Sequence, residues 1–142
     1  MILCRCAWVQ QYSHWLVRLS LAGTFIYHGI GKFPTALAIA EMFSVPVVIV
    51  YLAGLVEIVG GVAILWGGLG DQKTHKIATK FASGIFAITM LSAIFMFHLE
   101  NGWSFISGFD PDSNGLGGME FQVLIFAVSM HLFIHEGFTA KR

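Results

Sequence analysis

The chain has 142 residues, of which 56% are hydrophobic and 11% charged, about half the charged share of an ordinary globular domain. Eight Lys plus Arg cancel eight Asp plus Glu, so no basic field exists to hold nucleic acid, and a mean hydropathy of +0.76 points to lipid as solvent. Nucleic-acid binders and soluble enzymes are excluded first, and 3 Pro with 16 Gly among bulky apolar residues exclude collagen-like and disordered chains.

The N-terminal stretch carries both cysteines, Cys4 and Cys6, in Cys-Arg-Cys. With no second pair elsewhere they build neither a disulfide framework nor a metal site. Arg5, Gln10, Gln11, His14 and Arg18 interrupt any apolar signal core, so this end is expected to be retained.

About 20 residues cross roughly 30 Å of hydrocarbon at about 1.5 Å per residue, and four stretches qualify. The first runs from about Trp15 to Phe33 and stops at Pro34; the second runs from about Pro46 to Trp66 and contains one charge, Glu57. The third runs from about Ile77 to His98, with Lys80 near enough to its start to snorkel, and Phe86 on it is expected to face lipid. The fourth runs from about Gly118 to Gly137. Between the first two, residues 34–45 are too short to cross and predict an interfacial helix or re-entrant turn. Residues 67–76 form a polar turn, and residues 100–117 form a longer Gly-, Asp- and Ser-rich loop with Trp103 and Phe105 at headgroup depth. No internal repeat is present. The expectation is an all-α integral membrane protein, a single four-helix domain over residues 1–142.

Orientation follows from basic residues near span ends. One side holds Arg5, Lys73, Lys76, Lys80, Lys141 and Arg142; the other holds only Lys32, beside Glu41, Glu100, Asp110 and Asp112. Both termini are therefore expected in the cytoplasm.

An ionisable residue at bilayer depth needs a partner or water. Glu57 lies eleven residues after Pro46, about 16 Å in. It shares a helical face with Ala53, Gly60, Gly61 and Ile64, small enough for close approach by another helix. On the first span Arg18, Ala22, Phe25, Gly29 and Lys32 form a stripe with a cation at each end, and this stripe is expected to face Glu57. Arg18, the more deeply placed cation, is the expected partner. A structural ion pair and a functional one are both open. The fourth span presents Glu120, Leu124, Ala127, His131 and His135 along one face. Two polar clusters result: His28, Lys32, His98 and Glu120 toward the outside, and His14, Arg18, His131 and His135 toward the cytoplasm, with Glu57 between. The outer group reads either as a site or as interfacial residues touching headgroups. His131 and His135 have metal-ligand spacing but no carboxylate beside them, so no metal is assigned. Haem between facing histidines is not expected. No nucleophile elbow, phosphate-binding loop or dinucleotide fingerprint occurs.

The runs RLSLAGTFIYHGIGKF (residues 18–33), LAGLVEIVGGVAILWGGL (52–69), HLENGWSF (98–105) and GGMEFQVLIFAVS (117–129) together resemble the DoxX family of small four-helix membrane proteins. The shared pattern is an Arg followed by Gly-x-x-Lys, a Glu followed by Gly-Gly, and a Gly-Gly-x-Glu. Similar proteins include the small membrane subunit of thiosulfate:quinone oxidoreductase, and relatives are implicated in redox complexes, thiol-stress responses and maturation of periplasmic enzymes. The resemblance implies Arg18, Lys32, Glu57, His98 and Glu120 as the recurring polar positions.

The leading expectation is a redox-complex subunit that binds quinone. Glu57 or His98 would exchange protons as catalytic groups, and Arg18, His28, Lys32 and Glu120 would bind ligand. A thiosulfate- or thiol-type donor fits the outer cations. No covalently bound cofactor is expected, and activity is expected only with partners: lipid, and a larger membrane complex or a homo-oligomer, in a bacterial-type inner membrane. The alternative is a non-catalytic accessory or assembly subunit whose charges serve packing. A small-molecule or lipid transporter with a polar track is the third class.

Overall fold

The computed structural model describes the backbone of residues 3–101 and 118–138, and the side chains of residues 12–96 and 118–135. Among the described residues the chain is all α, with five helices and no strand: α1 Leu3–Lys32, α2 Ala36–Met42, α3 Val47–Gly67, α4 Lys73–Asn101 and α5 Glu120–Phe138. The expected loop with Trp103 and Phe105 lies outside the described residues, as do the side chains of Cys4 and Cys6. Two helices, α3 and the Lys73–Met96 part of α4, are long and apolar enough to cross a membrane. The described part of α5 is apolar but shorter, and α1 carries several polar side chains, among them Arg18, His28 and Lys32.

Helix α1 begins twelve residues before the expected span, and α4 begins at Lys73 rather than at Ile77. The reason is the same at both ends. A span stops where charge meets hydrocarbon, but a helix stops only where the backbone is interrupted, and neither residues 3–15 nor residues 73–77 contain Pro or Gly. Pro34, which lacks an N–H, does end α1. Phe33 N–H turns back to the Ile30 carbonyl at 3.2 Å, and the Thr35 hydroxyl takes the Gly31 carbonyl at 2.8 Å.

The segment after α1 is the short helix α2. Its end is closed by two crossed bonds: Val45 N–H reaches the Ala40 carbonyl at 3.0 Å, and Ser44 N–H reaches Glu41 at 3.2 Å. This closure requires a left-handed residue between them, and Ser44 supplies it at φ 51°. Val45 packs with Ile39, Ala40 and Val50, which ties α2 to the start of α3. Pro46, with φ −57° and ψ 135°, is the N-cap of α3.

Two compact units divide the chain within α4, Met1–Ala82 and Ser83–Arg142. In the first, Leu21, Ala22, Phe25, Ile64, Thr79 and Ala82 are buried. In the second, Ser83, Phe86, Ala87, Ile94, Ile125, Ser129 and Leu132 are buried, and Gly84 allows the Phe133 ring to lie close to the α4 backbone. Phe86, expected to face lipid, is fully buried. The outward arc of α4 instead carries Ile77, Phe81, Ile88, Leu91 and Phe95. The burial pattern is the inverse of a water-soluble protein: Arg18, Glu57, Thr79, Ser83 and Ser129 are inside while Leu16, Tyr27, Val59, Phe81 and Ile88 are outside. Apolar exposure on this scale suits lipid.

Candidate functional site

The stripe predicted on α1 does face α3. Ala22, Phe25 and Gly29 are buried along it, and the two backbones approach closely at three glycines. A Cβ on Gly29 would stand 2.7 Å from the Gly54 carbonyl oxygen and 3.2 Å from Glu57 Cβ; one on Gly54 would stand 3.0 Å from the Gly29 carbonyl and 3.4 Å from Lys32 Cβ. A Cβ on Gly61 would press on Ile26 and the Ala22 carbonyl. Gly60, Gly61 and Ile64 are buried on the expected face of α3, and Gly54, which that pattern omitted, makes the closest approach.

The partner of Glu57 is Lys32, not Arg18. Lys32 Nζ lies 2.5 Å from Glu57 Oε2. Glu57 is 4% exposed, whereas the Lys32 side chain is 23% exposed, so the pair is closed at the carboxylate and partly open at the ammonium. The reason for the exchange of cations is side-chain direction. Helical side chains tilt toward their own N-terminus. Lys32, at the end of α1, is thereby aimed back along the interface, and Glu57 on the antiparallel α3 tilts toward it. Arg18 tilts the same way as Lys32, toward the start of α1, which carries it away from Glu57 and to the end of α3.

There Arg18 is 3% exposed. Its Nη1 donates to the Ile64 carbonyl at 2.9 Å and to Thr79 Oγ1 at 2.7 Å. The Ile64 carbonyl is open because Gly68 N–H bonds Leu65 instead, at 3.0 Å. The guanidinium thus caps the negative end of the α3 dipole. Gly67 and Gly68 clear the space: a Cβ on Gly68 would lie 2.8 Å from Arg18 Cδ, and one on Gly67 would overlap Thr79 Oγ1. The next carbonyl, that of Trp66, accepts from Leu69 N–H at 3.1 Å and from His75 Nδ1 at 2.8 Å. The His75 ring packs on Trp66 with centroids 4.7 Å apart. Neither Thr79 nor His75 was expected here. The available signal for Thr79 was the need of a buried Arg18 for acceptors.

The remaining predicted residues are placed as follows. His28 is exposed on α1, its ring edge-on to Tyr27 at 6.2 Å. His14 is half-buried beside Trp15. Glu120 opens α5, where a carboxylate suits the positive end of the helix. Leu124, Ala127, His131 and His135, expected to share one face, are exposed; Ile125, Ser129 and Leu132 form the buried face of α5. His131 and His135 stack on each other with centroids 5.7 Å apart. His98 lies in the last turns of α4, and its side chain falls outside the described residues. Among the described residues no group of three His, Cys, Asp or Glu is placed to hold a metal ion.

The DoxX family model matches residues 14–99. The chain belongs to the DoxX family. The match takes in Arg18, Lys32, Glu57 and His98, so both cationic contacts on α3 fall within the part of the DoxX-family chain that carries the resemblance; α5 and Glu120 lie beyond it. A similar protein is the Bacillus subtilis (strain 168) chain named "Putative oxidoreductase CatD", 25% identical over 120 residues that cover 82% of this chain and 74% of the relative. No solved structure matches.

Proposed function

We propose that this DoxX-family chain is the membrane subunit of an oxidoreductase complex, and that Lys32 and Glu57 form its quinone-linked proton-exchange site. The observation that supports this reading is the pair itself, a buried carboxylate joined to an ammonium that remains partly open. Quinone reduction needs a hydrogen-bond donor at a carbonyl oxygen and a group that delivers protons as two electrons arrive. The Lys32 ammonium donates to the carbonyl oxygen, and the ionised Glu57 accepts protons from water and passes them on, two for each quinone reduced to quinol. Electrons come from a thiosulfate- or thiol-type donor through a partner subunit, and the oxidoreductase name of the Bacillus relative agrees with such a setting. Arg18, engaged with Ile64 and Thr79, positions α3 rather than touching ligand. His28, His98 and Glu120 are retained as candidate ligand-binding or proton-exchanging groups at the outer end.

The same proposal includes four crossings by α1, α3, α4 and α5, with both termini cytoplasmic, in the inner membrane of a bacterial-type cell and within a larger complex or homo-oligomer. At about 1.5 Å per residue, even the 19 residues of α5 reach nearly the roughly 30 Å of hydrocarbon. A reporter fused after Arg142 must then read cytoplasmic and one near Asp112 external; the opposite labelling overturns the orientation.

The functional test is quinone retention and donor-dependent quinone reduction by the purified native complex carrying Lys32→Met, Glu57→Gln or His98→Phe, against the exposed control Ile88→Leu. Loss of quinone or turnover with the complex intact supports the proposal. Lys32→Met and Glu57→Gln complexes that retain both at control level make the pair a packing clamp and the chain an accessory subunit.

A further inference from the structure

The start of α4 bears three lysines, Lys73, Lys76 and Lys80, spaced three and four apart. At roughly 100° per residue they occupy about 60° of the helix surface. Lys73 and Lys80 are exposed and Lys76 is half-buried. The only carboxylate in the turn before them is Asp71, and Lys73 and Lys76 have no acidic partner among the described residues. The position is electrostatically adverse for cations. A helix N-terminus carries the positive end of the dipole, and the first turn of α4 contains no acidic residue to offset it.

Directly beside the lysine stripe runs an apolar one, Ile77 and Phe81, both strongly exposed. Trp66, held against His75, and Leu69 are exposed at the same end of the unit. A half-exposed Trp is the residue type that marks headgroup depth. Cationic heads and an apolar stripe lie along one helix face in the order in which an amphiphile presents an anionic head and a hydrocarbon tail.

We propose that this face of α4 binds an anionic phospholipid, with the headgroup phosphodiester on Lys73, Lys76 and Lys80 and the upper acyl chain along Ile77 and Phe81. The charge complementarity decides the occupant: a zwitterionic headgroup brings its own cation to the same place, whereas a net negative one offsets both the lysines and the helix dipole. The site is separate from the Lys32–Glu57 pair and does not depend on its role.

The test uses the full chain in detergent, titrated with dioleoylphosphatidylglycerol or dioleoylphosphatidylcholine, with bound lipid read by native mass spectrometry and by the shift in Tm. The anionic lipid should bind at least about tenfold more tightly than the zwitterionic one, and each single Lys→Gln should weaken it about fivefold. The triple variant K73Q/K76Q/K80Q should bind both lipids alike, while K73R/K76R/K80R keeps the preference, which separates charge from misfolding. Equal binding of the two lipids by the unmodified chain, or a preference that survives in the Gln variant, overturns the proposal and leaves the lysines only an orienting role. Displacement of phosphatidylglycerol by millimolar inorganic phosphate overturns it as well, in favour of a free-anion site.

Discussion

The exchange of partners at Glu57 carries the most exacting prediction. Two unit charges 2.5 Å apart attract by about 6 to 7 kcal/mol at an effective dielectric of about 20. Dehydrating the Glu57 carboxylate and most of the Lys32 side chain cancels much of that, so the intact pair contributes little net stability. Removing one partner is different: Lys32→Met leaves the buried Glu57 carboxylate charged beside the close approach of Gly29 and Ile58, whereas Glu57→Gln leaves an ammonium that is partly open. Lys32→Met should destabilise the fold by about 3 to 5 kcal/mol and Glu57→Gln by less, about 1 to 3 kcal/mol, and the double variant should recover at least about 1 kcal/mol of the summed loss. Arg18→Met combined with Glu57→Gln should instead be additive within about 0.5 kcal/mol, since the two side chains do not meet. The assay is a double-mutant cycle from reversible unfolding in mixed micelles, followed by far-UV circular dichroism. Additive losses for Lys32 and Glu57, or strong coupling between Arg18 and Glu57, would refute the geometry.

Thr79→Val removes an acceptor of Arg18 and should cost about 1 to 3 kcal/mol in the same unfolding measurement. Gly54→Ala places a methyl 3.0 Å from the Gly29 carbonyl and should cost about 1 to 3 kcal/mol. Gly23→Ala, with nothing within 4 Å, should stabilise by about 0.5 to 1 kcal/mol; equal effects at the two glycines would contradict the described α1–α3 approach. Ser44→Gly relieves the left-handed backbone at φ 51° and should raise stability by about 1 kcal/mol, read as a higher Tm, whereas Ser44→Val should lower it.

Composition and periodicity alone were enough to specify an all-helical chain with lipid as its solvent. Apolar runs long enough to cross hydrocarbon, the break at Pro34 and the presence of a turn after α3, though it is confined to residues 68–72 rather than 67–76, are properties of the backbone and of transfer free energy, which need no neighbour to be read. The stripe from Arg18 to Lys32 and the Glu57–Gly60–Gly61 face were legible for the same reason, since helical spacing fixes which residues share a side. What spacing could not supply was which cation answers Glu57. Counting along the axis favoured Arg18, but a side chain leaves its helix with a fixed tilt, and in an antiparallel pair that tilt carries Lys32 toward Glu57 and Arg18 toward the open carbonyl of Ile64. The inward face of α5 was equally beyond reach. Glu120, Leu124, Ala127, His131 and His135 do share a side, yet in a chain dissolved in lipid both sides of a helix can be apolar, so hydropathy does not say which is buried. Packing decided it, by placing Ile125, Ser129 and Leu132 inside.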